Sequence, residues 1–365
     1  MASSSQLSIS FDNLTTLIDT IIQQDHKLIY LAGASASGKS YIWEELVKQL
    51  TESGKKVLLI SSDSYYSNES QMKYLLYGTF DHPKLINYDI LQQDIMTYFQ
   101  TGKFQLPVYS FSEKRTTHHV AINEVYDIII VEGLYTINSL PTSFSVHDND
   151  ITAYNVLVRA PIEEIIFRRL IRDQARVKEP LNMLINIMSN VFPMWKIFGA
   201  TQEEYAHCLI TNNYTILEKE WRHSQWKKVK KDSLPEKEPY TTYYTTDYIY
   251  NDSDEGNGKI IISEIYRDPH WLLDHVVLQK RSSDPREEQD NYESISMSLY
   301  TPGISTEIHT LLQLAGLNYE WSYTKIIYQY SKPNDDKMII YKEKFGQLYQ
   351  LISPNKKQSH HNYPW

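Results

Sequence analysis

Residues 27–50 read KLIYLAGASASGKSYIWEELVKQL, and this stretch decides the fold of the first half of the chain. Gly33-Ala34-Ser35-Ala36-Ser37-Gly38-Lys39-Ser40 fits G-x-x-x-x-G-K-[ST] without a mismatch. An apolar run, LIYLA, precedes it, and a helix-period run, SYIWEELVKQL, follows it. That strand–loop–helix context gives the pattern its physical meaning. Glycines let the backbone curl so that successive N–H groups and the helix N-terminus point at phosphate oxygens. Lys39 then reaches the β/γ-phosphates, and Ser40 can hold Mg²⁺. The eight residues imply a nucleotide-phosphate site, but not what receives the phosphate, because many reaction classes share this loop.

Outward from the loop, further apolar runs read as short buried strands. They are Leu28–Ala32, Val57–Ser61, Asp127–Val131, Tyr154–Val158 and His207–Thr211. Helix-period stretches such as Ser40–Ser53 and Pro161–Ala175 lie between them. Strands that alternate with helices predict an α/β fold, a P-loop NTPase parallel sheet with helices on both faces. The run DIIIVEG is apolar along the strand, as expected where both sheet faces are covered.

The pattern changes after about Lys219. Arg222–Tyr240 (RHSQWKKVKKDSLPEKEPY) is charged, holds two prolines and reads as a linker whose lysines are solvated. From Thr241 to Ser353 the signal is alternating: TTYYTTDYIY, KIIISEIY, HVVLQKR, YESISMSL, TKIIYQYS, KMIIYKEKF and QLYQLI, with one helix at Ile304–Ala315. Many of the 29 tyrosines fall here in period-two patterns, which points to β-sheet rather than tyrosine chemistry. The expected organisation is a P-loop domain over 1–221, a linker over 222–240, a mostly antiparallel β or α+β domain over 241–353 and a polar tail over 354–365.

Bulk properties narrow the functional classes. The 365 residues suit two domains, and 41% apolar with 22% charged residues is ordinary globular composition. A formal net charge of -9 argues against general nucleic-acid binding. One cysteine, Cys208, excludes an intrachain disulfide framework and a Cys-based zinc site. The N-terminus lacks a secretory pattern and no apolar run approaches a membrane span, so a cytoplasmic protein without membrane or nucleic-acid partners is expected.

The acceptor side begins at Ser61-Ser62-Asp63-Ser64-Tyr65-Tyr66. A carboxylate at the C-terminal end of a parallel strand sits in the ligand crevice of α/β proteins. Asp63 could take the proton of an attacking hydroxyl, or it could cap the following turn. Four further segments accompany it: Phe80-Asp81-His82-Pro83, Leu106-Pro107-Val108-Tyr109-Ser110-Phe111, Val131-Glu132-Gly133-Leu134 and Arg168-Arg169-Leu170-Ile171-Arg172-Asp173. In this order they resemble the uridine kinase family, close to phosphoribulokinase, whose segments read DSFY, NFDHP, PxYDF, EGI and RRxxRD. The resemblance covers roughly Lys27 to Asn213.

That resemblance implies roles residue by residue. Asp63 becomes the general base on a nucleoside 5′-hydroxyl and, with Ser40 and Glu132, a Mg²⁺ partner. Tyr66 and Asp81 contact the nucleoside, Asp81 on the ribose hydroxyls, and Tyr109 meets the base. Arg169 and Arg172, on one helix face, act on the phosphates with Lys39, followed by Arg176 and Lys178 as a lid. Arg168 reads as a surface residue. Three positions depart from the family pattern. The lid reads Arg176-Val177-Lys178 rather than R-G-R, Lys114 stands where a base-contacting histidine is usual, and Asn186 replaces a glutamine. His118 and His119 read as a surface loop. The transfer machinery is intact by this reading, while base recognition is altered.

A P-loop kinase followed by a β-rich domain also resembles a fusion to the CYTH, or triphosphate tunnel, superfamily, a barrel whose lumen is charged. Candidate lumen charges are Glu264 and Arg267, Lys280 and Arg281, Glu293, and Lys337, Lys342 and Lys344. The E-x-E-x-K signature is absent, and Ser263-Glu264-Ile265-Tyr266-Arg267 supplies only part of it. The leading expectation is an ATP- and Mg²⁺-dependent phosphotransferase acting on a uridine- or cytidine-like nucleoside, with a homo-oligomer as family precedent. The alternatives are a CYTH-type pyro- or triphosphate hydrolase with a regulatory P-loop domain, and a nucleotide-binding module without turnover.

Overall fold

The computed structural model describes residues 6–68, 79–146, 149–173, 180–212, 214, 224–230, 241–252, 259–267, 272–281, 291–299, 305–331, 337–342 and 348–352. The chain divides into two compact units. One comprises Met1–Ala160 with Ser189–Asn213, the other Pro161–Met188 with Tyr214–Trp365.

The first unit is built on strands β1 (Leu7–Ser10), β2 (Leu28–Gly33), β3 (Val57–Ser61), β6 (Ile128–Gly133), β8 (Asn149–Arg159) and β9 (Cys208–Thr211), in the order β1-β9-β8-β2-β6-β3, all parallel. A short strand, β7 (Ser143–Val146), adds antiparallel to β8. Strands β4 (Phe104–Ser110) and β5 (Arg115–Ile122) form a separate antiparallel hairpin. Every position of β2 is buried, so both faces of the sheet are covered, which is why the sequence there is apolar without alternation. Helix α1 (Leu14–Gln23) buries Leu14, Leu17, Ile18 and Ile21, a stripe at helical spacing. Helices α2 (Lys39–Glu52) and α3 (Tyr88–Thr101) present Ile42, Leu46 and Leu50, and Leu91, Ile95 and Tyr98, in the same way. Short helices α4 (Thr136–Ser139), α7 (Phe192–Phe198) and α8 (Gln202–Tyr205) complete the unit. Each large aliphatic side chain fully buried in such a core contributes about 1.5–3 kcal/mol. The central strands therefore form a stiff base, and loops at their C-terminal ends inherit fixed starting points. Cys208 is buried in β9, and burial pushes its thiol up to about 12.

The second unit contains helices α5 (Ile162–Asp173), α6 (Pro180–Asn186) and α9 (Ser305–Ala315) and a closed antiparallel barrel. Its strands are β10 (Ser224–Val229), β11 (Thr241–Asp252), β12 (Lys259–Arg267), β13 (Leu272–Arg281), β14 (Asn291–Ser298), β15 (Leu317–Ser331), β16 (Lys337–Lys342) and β17 (Leu348–Ile352). The order is β10-β14-β13-β12-β11-β15-β16-β17, and β17 pairs back with β10 to close the barrel. The segment read as a linker therefore supplies a strand at Ser224–Val229. Its sequence, SQWKKV, carries Trp226 inward, 5% exposed and bonded through Nε1 to Ser294 Oγ at 2.9 Å, while Lys227 faces out. One inward aromatic followed by two lysines masks the period-two signal.

The inner face of the barrel is fixed by a bond across it. Arg281 of β13 donates from Nη1 to the Tyr323 hydroxyl of β15 at 3.5 Å, and these strands are not neighbours. Lys325 and Asp247 share that face, with Nζ–Oδ2 at 2.6 Å and side-chain exposures of 6% and 0%. Thr245, Ser263 and Gln279 are buried on the same face by register. Lys280 and Arg281 cannot both point inward, because adjacent strand residues alternate. Arg281 is inward, whereas Lys280 and Glu264 are buried against the outside of the barrel. Glu264 accepts hydrogen bonds from Tyr266 at 2.7 Å and Tyr248 at 3.3 Å, with His309 of α9 at 3.9 Å. Arg267, Glu293, Lys337 and Lys342 fall within β12, β14 and β16, and Lys344 lies outside the described residues. Among the described residues no helix is long and apolar enough to cross a membrane.

The Lys325–Asp247 pair yields a stability prediction. Lys325→Met leaves a buried carboxylate without its counter-charge and is expected to cost about 3–5 kcal/mol, whereas removing both charges is close to neutral. Denaturant unfolding of Lys325→Met and of Asp247→Leu/Lys325→Met measures this. A single variant as stable as the parent protein would show that the pair contributes nothing.

Candidate functional site

The phosphate loop leaves β2 at Gly33 and enters α2 at Lys39. A Cβ on Gly33 would lie 2.7 Å from the Val158 carbonyl oxygen and 2.8 Å from Ser37 Oγ, so no side chain fits there. Gly38 caps α2 with φ 100°, a left-handed conformation that glycine adopts without strain. Ala36, at φ 65°, also takes a left-handed conformation. Between these points the loop curls as G-x-x-x-x-G-K-S requires. Lys39 is buried at 9% exposure and folds back over the loop, donating to the Gly33 and Ala34 carbonyls at 2.8 and 3.1 Å. Its ammonium is thus held over the concavity in which phosphates would sit. Asn212, 3% exposed at the end of β9, donates from Nδ2 to Ser37 O at 2.9 Å and braces the loop from below. Sequence reading missed Asn212; its only signal is an amide directly after an apolar strand.

Strand register brings the carboxylates beside this loop. β6 runs between β2 and β3, so Glu132 is paired with Leu31 on one side and Ser61 on the other. Ser61 Oγ donates to Glu132 Oε1 at 2.6 Å and accepts from the Asp63 backbone N–H at 3.3 Å. One hydroxyl therefore ties the Glu132 carboxylate to the 3-10 turn Ser62–Tyr65 that carries Asp63. Gly133 explains the glycine in Val-Glu-Gly, since a Cβ there would fall 2.1 Å from Ser62 Oγ. Phosphate loop, Asp63 and Glu132 share the C-terminal edge of three adjacent strands, the usual ligand crevice of such sheets. Ser40, Asp63 and Glu132 are hard oxygen donors. Two carboxylates and a hydroxyl, with nucleotide phosphates supplying further oxygens, match how Mg²⁺ is normally held.

The acceptor-side residues also converge. Tyr66 is 6% exposed, donates to Phe80 O at 2.9 Å, and its phenol is held well above its usual range by burial and by the Asp63 and Asp81 carboxylates. Its ring lies 5.5 Å from Tyr109 and 5.4 Å from Phe111, which are themselves 5.3 Å apart. Phe111 is 57% exposed, so the cluster opens to solvent on one side. Asp81 is set by two bonds, its N–H to Thr79 Oγ1 at 3.0 Å and its carbonyl from Tyr135 Oη at 2.7 Å. Tyr135 is an addition the sequence alone did not single out, and Phe111, quoted in the family segment without a role, takes a place beside Tyr66 and Tyr109. Lys114 sits exposed at the turn of the β4–β5 hairpin with φ 58°. His118 and His119 are exposed on β5 rather than in a loop.

Arg169, Arg172 and Asn186 belong to the second unit. Asp173 organises both arginines: Arg172 donates to it from Nε at 2.8 Å and Nη2 at 3.2 Å, and Arg169 Nε lies 3.4 Å away. That accounts for the final aspartate of Arg-Arg-x-x-Arg-Asp. Arg168 is not a surface residue. Its side chain is 14% exposed, it donates to the Tyr214 carbonyl, and it faces Glu164. Burial lowers its pKa, opposed by the Glu164 and Glu163 carboxylates. The helix turns this arginine inward because α5 packs as part of a larger body, which local sequence does not encode. Asn186 ends α6. Arg176 and Lys178 lie outside the described residues.

Comparison with known proteins identifies a family. Residues 28–215 match the model of the phosphoribulokinase/uridine kinase family. Uridine kinase of Psychromonas ingrahamii is 27% identical over 188 residues, covering 50% of this chain and 86% of that protein. Uridine kinase of Ureaplasma urealyticum is 28% identical over 192 residues, covering 51% and 88%. A possible uridine kinase from Bacillus stearothermophilus aligns in structure at 15% identity and TM-score 0.37, over 55% of this chain and 97% of that one. With the matched segment spanning the phosphate loop, both carboxylates and the arginine helix, the chain belongs to the phosphoribulokinase/uridine kinase family.

Proposed function

We propose that the protein transfers the γ-phosphoryl group of ATP to the 5′-hydroxyl of a uridine- or cytidine-like nucleoside. The observation that supports this most is the Ser61 hydroxyl, which joins Glu132 to the turn of Asp63 at the edge of the phosphate loop. A binding module has no need of a carboxylate so placed. In the proposed reaction Asp63 accepts the proton of the acceptor hydroxyl as its oxygen attacks the γ-phosphorus, and ADP departs. Lys39 exchanges its two loop carbonyls for phosphate oxygens, and Arg169 and Arg172 supply further positive charge to the equatorial oxygens. Ser40, Asp63 and Glu132 would hold Mg²⁺, which supplies charge neutralisation of the phosphates when bound. Asp81 accepts from the ribose hydroxyls, and the Tyr66–Tyr109–Phe111 cluster offers a wall for the base, worth about 0.5–1.5 kcal/mol per aromatic contact beyond area burial. With Lys114 exposed at a hairpin turn and Asn186 in place of glutamine, the pyrimidine edge is read by contacts other than the family's usual ones.

The test is an assay with ATP and Mg²⁺ in which ADP and phosphate are followed separately. The acceptors are uridine, cytidine, other nucleosides and ribulose 5-phosphate, and tripolyphosphate is supplied alone in a parallel arm. ADP that appears only with a pyrimidine nucleoside, and ceases with excess chelator, is the expected result. Phosphate released from tripolyphosphate without acceptor-dependent ADP would overturn the proposal and assign the activity to the barrel.

Two substitutions sharpen it. Asp63→Asn is expected to lower kcat by roughly 10²–10⁴-fold while nucleotide affinity stays within a few-fold; unchanged turnover removes Asp63 from the mechanism. Tyr109→Ala is expected to raise KM for the nucleoside roughly tenfold with little effect on KM for ATP. Equal effects on both constants would place Tyr109 outside the nucleoside pocket.

A further inference from the structure

The arginine helix belongs to the same compact unit as the barrel. In α5, Glu163 and Glu164 occupy the first turn and are 1% and 3% exposed. Carboxylates suit a helix N-terminus, but not burial without a counter-charge. The counter-charge comes from far along the chain. Lys280 of β13 points outward from the barrel, and its Nζ lies 2.8 Å from Glu164 Oε1, with side-chain exposures of 3% and 5%. Glu164 Oε2 is 3.9 Å from Arg168 Nε one turn later, and Arg168 in turn bonds the Tyr214 carbonyl. A further turn on, Asp173 gathers Arg169 and Arg172. Lys280, Glu164 and Arg168 thus form a buried polar line between the barrel wall and the middle of the helix that carries the family's two arginines. Both groups of residues lie in the second compact unit, whereas the phosphate loop lies in the first.

We propose that Lys280 is a positioning residue for phosphoryl transfer: through Glu164 it fixes the rotation of α5 on the barrel and hence the direction in which Arg169 and Arg172 are presented. The inference rests on the kinase reading above. It makes the barrel a necessary part of the transferase, because a residue of β13 orients a helix that the family pattern assigns to the phosphates. A lysine on the outer face of a strand needs no burial. Among the described residues its desolvation is offset by the carboxylate of α5, so a rotation of the helix that separates the two charges is strongly disfavoured. The ion pair defines one rotational setting rather than a general adhesion.

The experiment uses the full-length chain and compares the parent protein with Lys280→Met, Lys280→Arg and Glu164→Gln. Sites able to bind nucleotide are counted by titration with a fluorescent ATP analogue, and kcat is expressed per titrated site. Loss of folded protein then lowers the site count but not the turnover per site. Lys280→Met is expected to lower kcat per site roughly 10–100-fold, the scale of an ångström-level displacement of a catalytic group, with KM for the nucleoside within about threefold. Lys280→Arg is expected to restore most of the turnover, and Glu164→Gln to reproduce the loss in part. If Lys280→Met yields no titratable sites, Glu164→Gln carries the test, since it keeps the side-chain shape. Parent-level turnover per site in whichever of these two folds overturns the proposal. A parent protein that forms no acceptor-dependent ADP overturns the kinase reading itself, an outcome seen before any variant is compared.

Discussion

The crowding of three strand ends is the constraint on which the site depends. β6 is paired on both sides, with β2 and β3, and its last two residues are Glu132 and Gly133. Gly133 has no room for a Cβ because Ser62 Oγ occupies that space. The close approach lets the chain after β3 turn at once into the short helix that presents Asp63. It also leaves Ser61 and Glu132 side by side, so one hydroxyl spans both carboxylate-bearing segments. Gly33 shows the same constraint on β2, where a side chain would strike the neighbouring strand β8. Two glycines at strand ends therefore bring the phosphate loop, Asp63 and Glu132 onto one edge.

Much of this was legible in sequence for a physical reason. β2, β6 up to Glu132, and most of the buried part of β8 are apolar without alternation, because strands covered on two faces bury both sets of side chains. The phosphate loop was legible because its glycines are required by backbone geometry. What sequence did not show is equally instructive. The β4–β5 hairpin was missed although Tyr109 and Phe111 within it were noticed, since β5 is exposed at most positions and carries Thr-Thr-His-His. The strand Ser224–Val229 is hidden by the two lysines that follow its inward aromatic, Trp226. Asn212 gives no pattern, since its partner, the Ser37 carbonyl, is 175 positions away.

The barrel shows how tertiary context overrides local reading of charge. Arg281 and Lys280 are neighbours in sequence yet serve opposite faces, one reaching across the lumen to Tyr323 and the other outward to Glu164. Alternation makes this unavoidable, and only the register decides which is which. Inside, Asp247 and Lys325 neutralise each other. Outside, Glu264 is surrounded by Tyr248, Tyr266 and His309. The Arg281–Tyr323, Lys280–Glu164 and Asp247–Lys325 pairings join elements distant in sequence, so these charged residues look like ordinary strand surface until the barrel closes.

The same override accounts for Arg168. An arginine in a run such as Arg-Arg-Leu-Ile-Arg-Asp is expected at a solvated helix face, and Arg172 is half-exposed there. Arg168 is turned inward because Glu164, one turn earlier, is already committed to Lys280. A carboxylate shared between a lysine and an arginine in a poorly solvated region tolerates little displacement, since each charge lost leaves another uncompensated. The orientation of the family's arginine pair therefore follows from a residue in a different fold element, more than 100 positions later in the sequence. That dependence ties the setting of α5 to the barrel, since Lys280 of β13 lies 2.8 Å from Glu164 whereas Arg168 of the helix itself is 3.9 Å away.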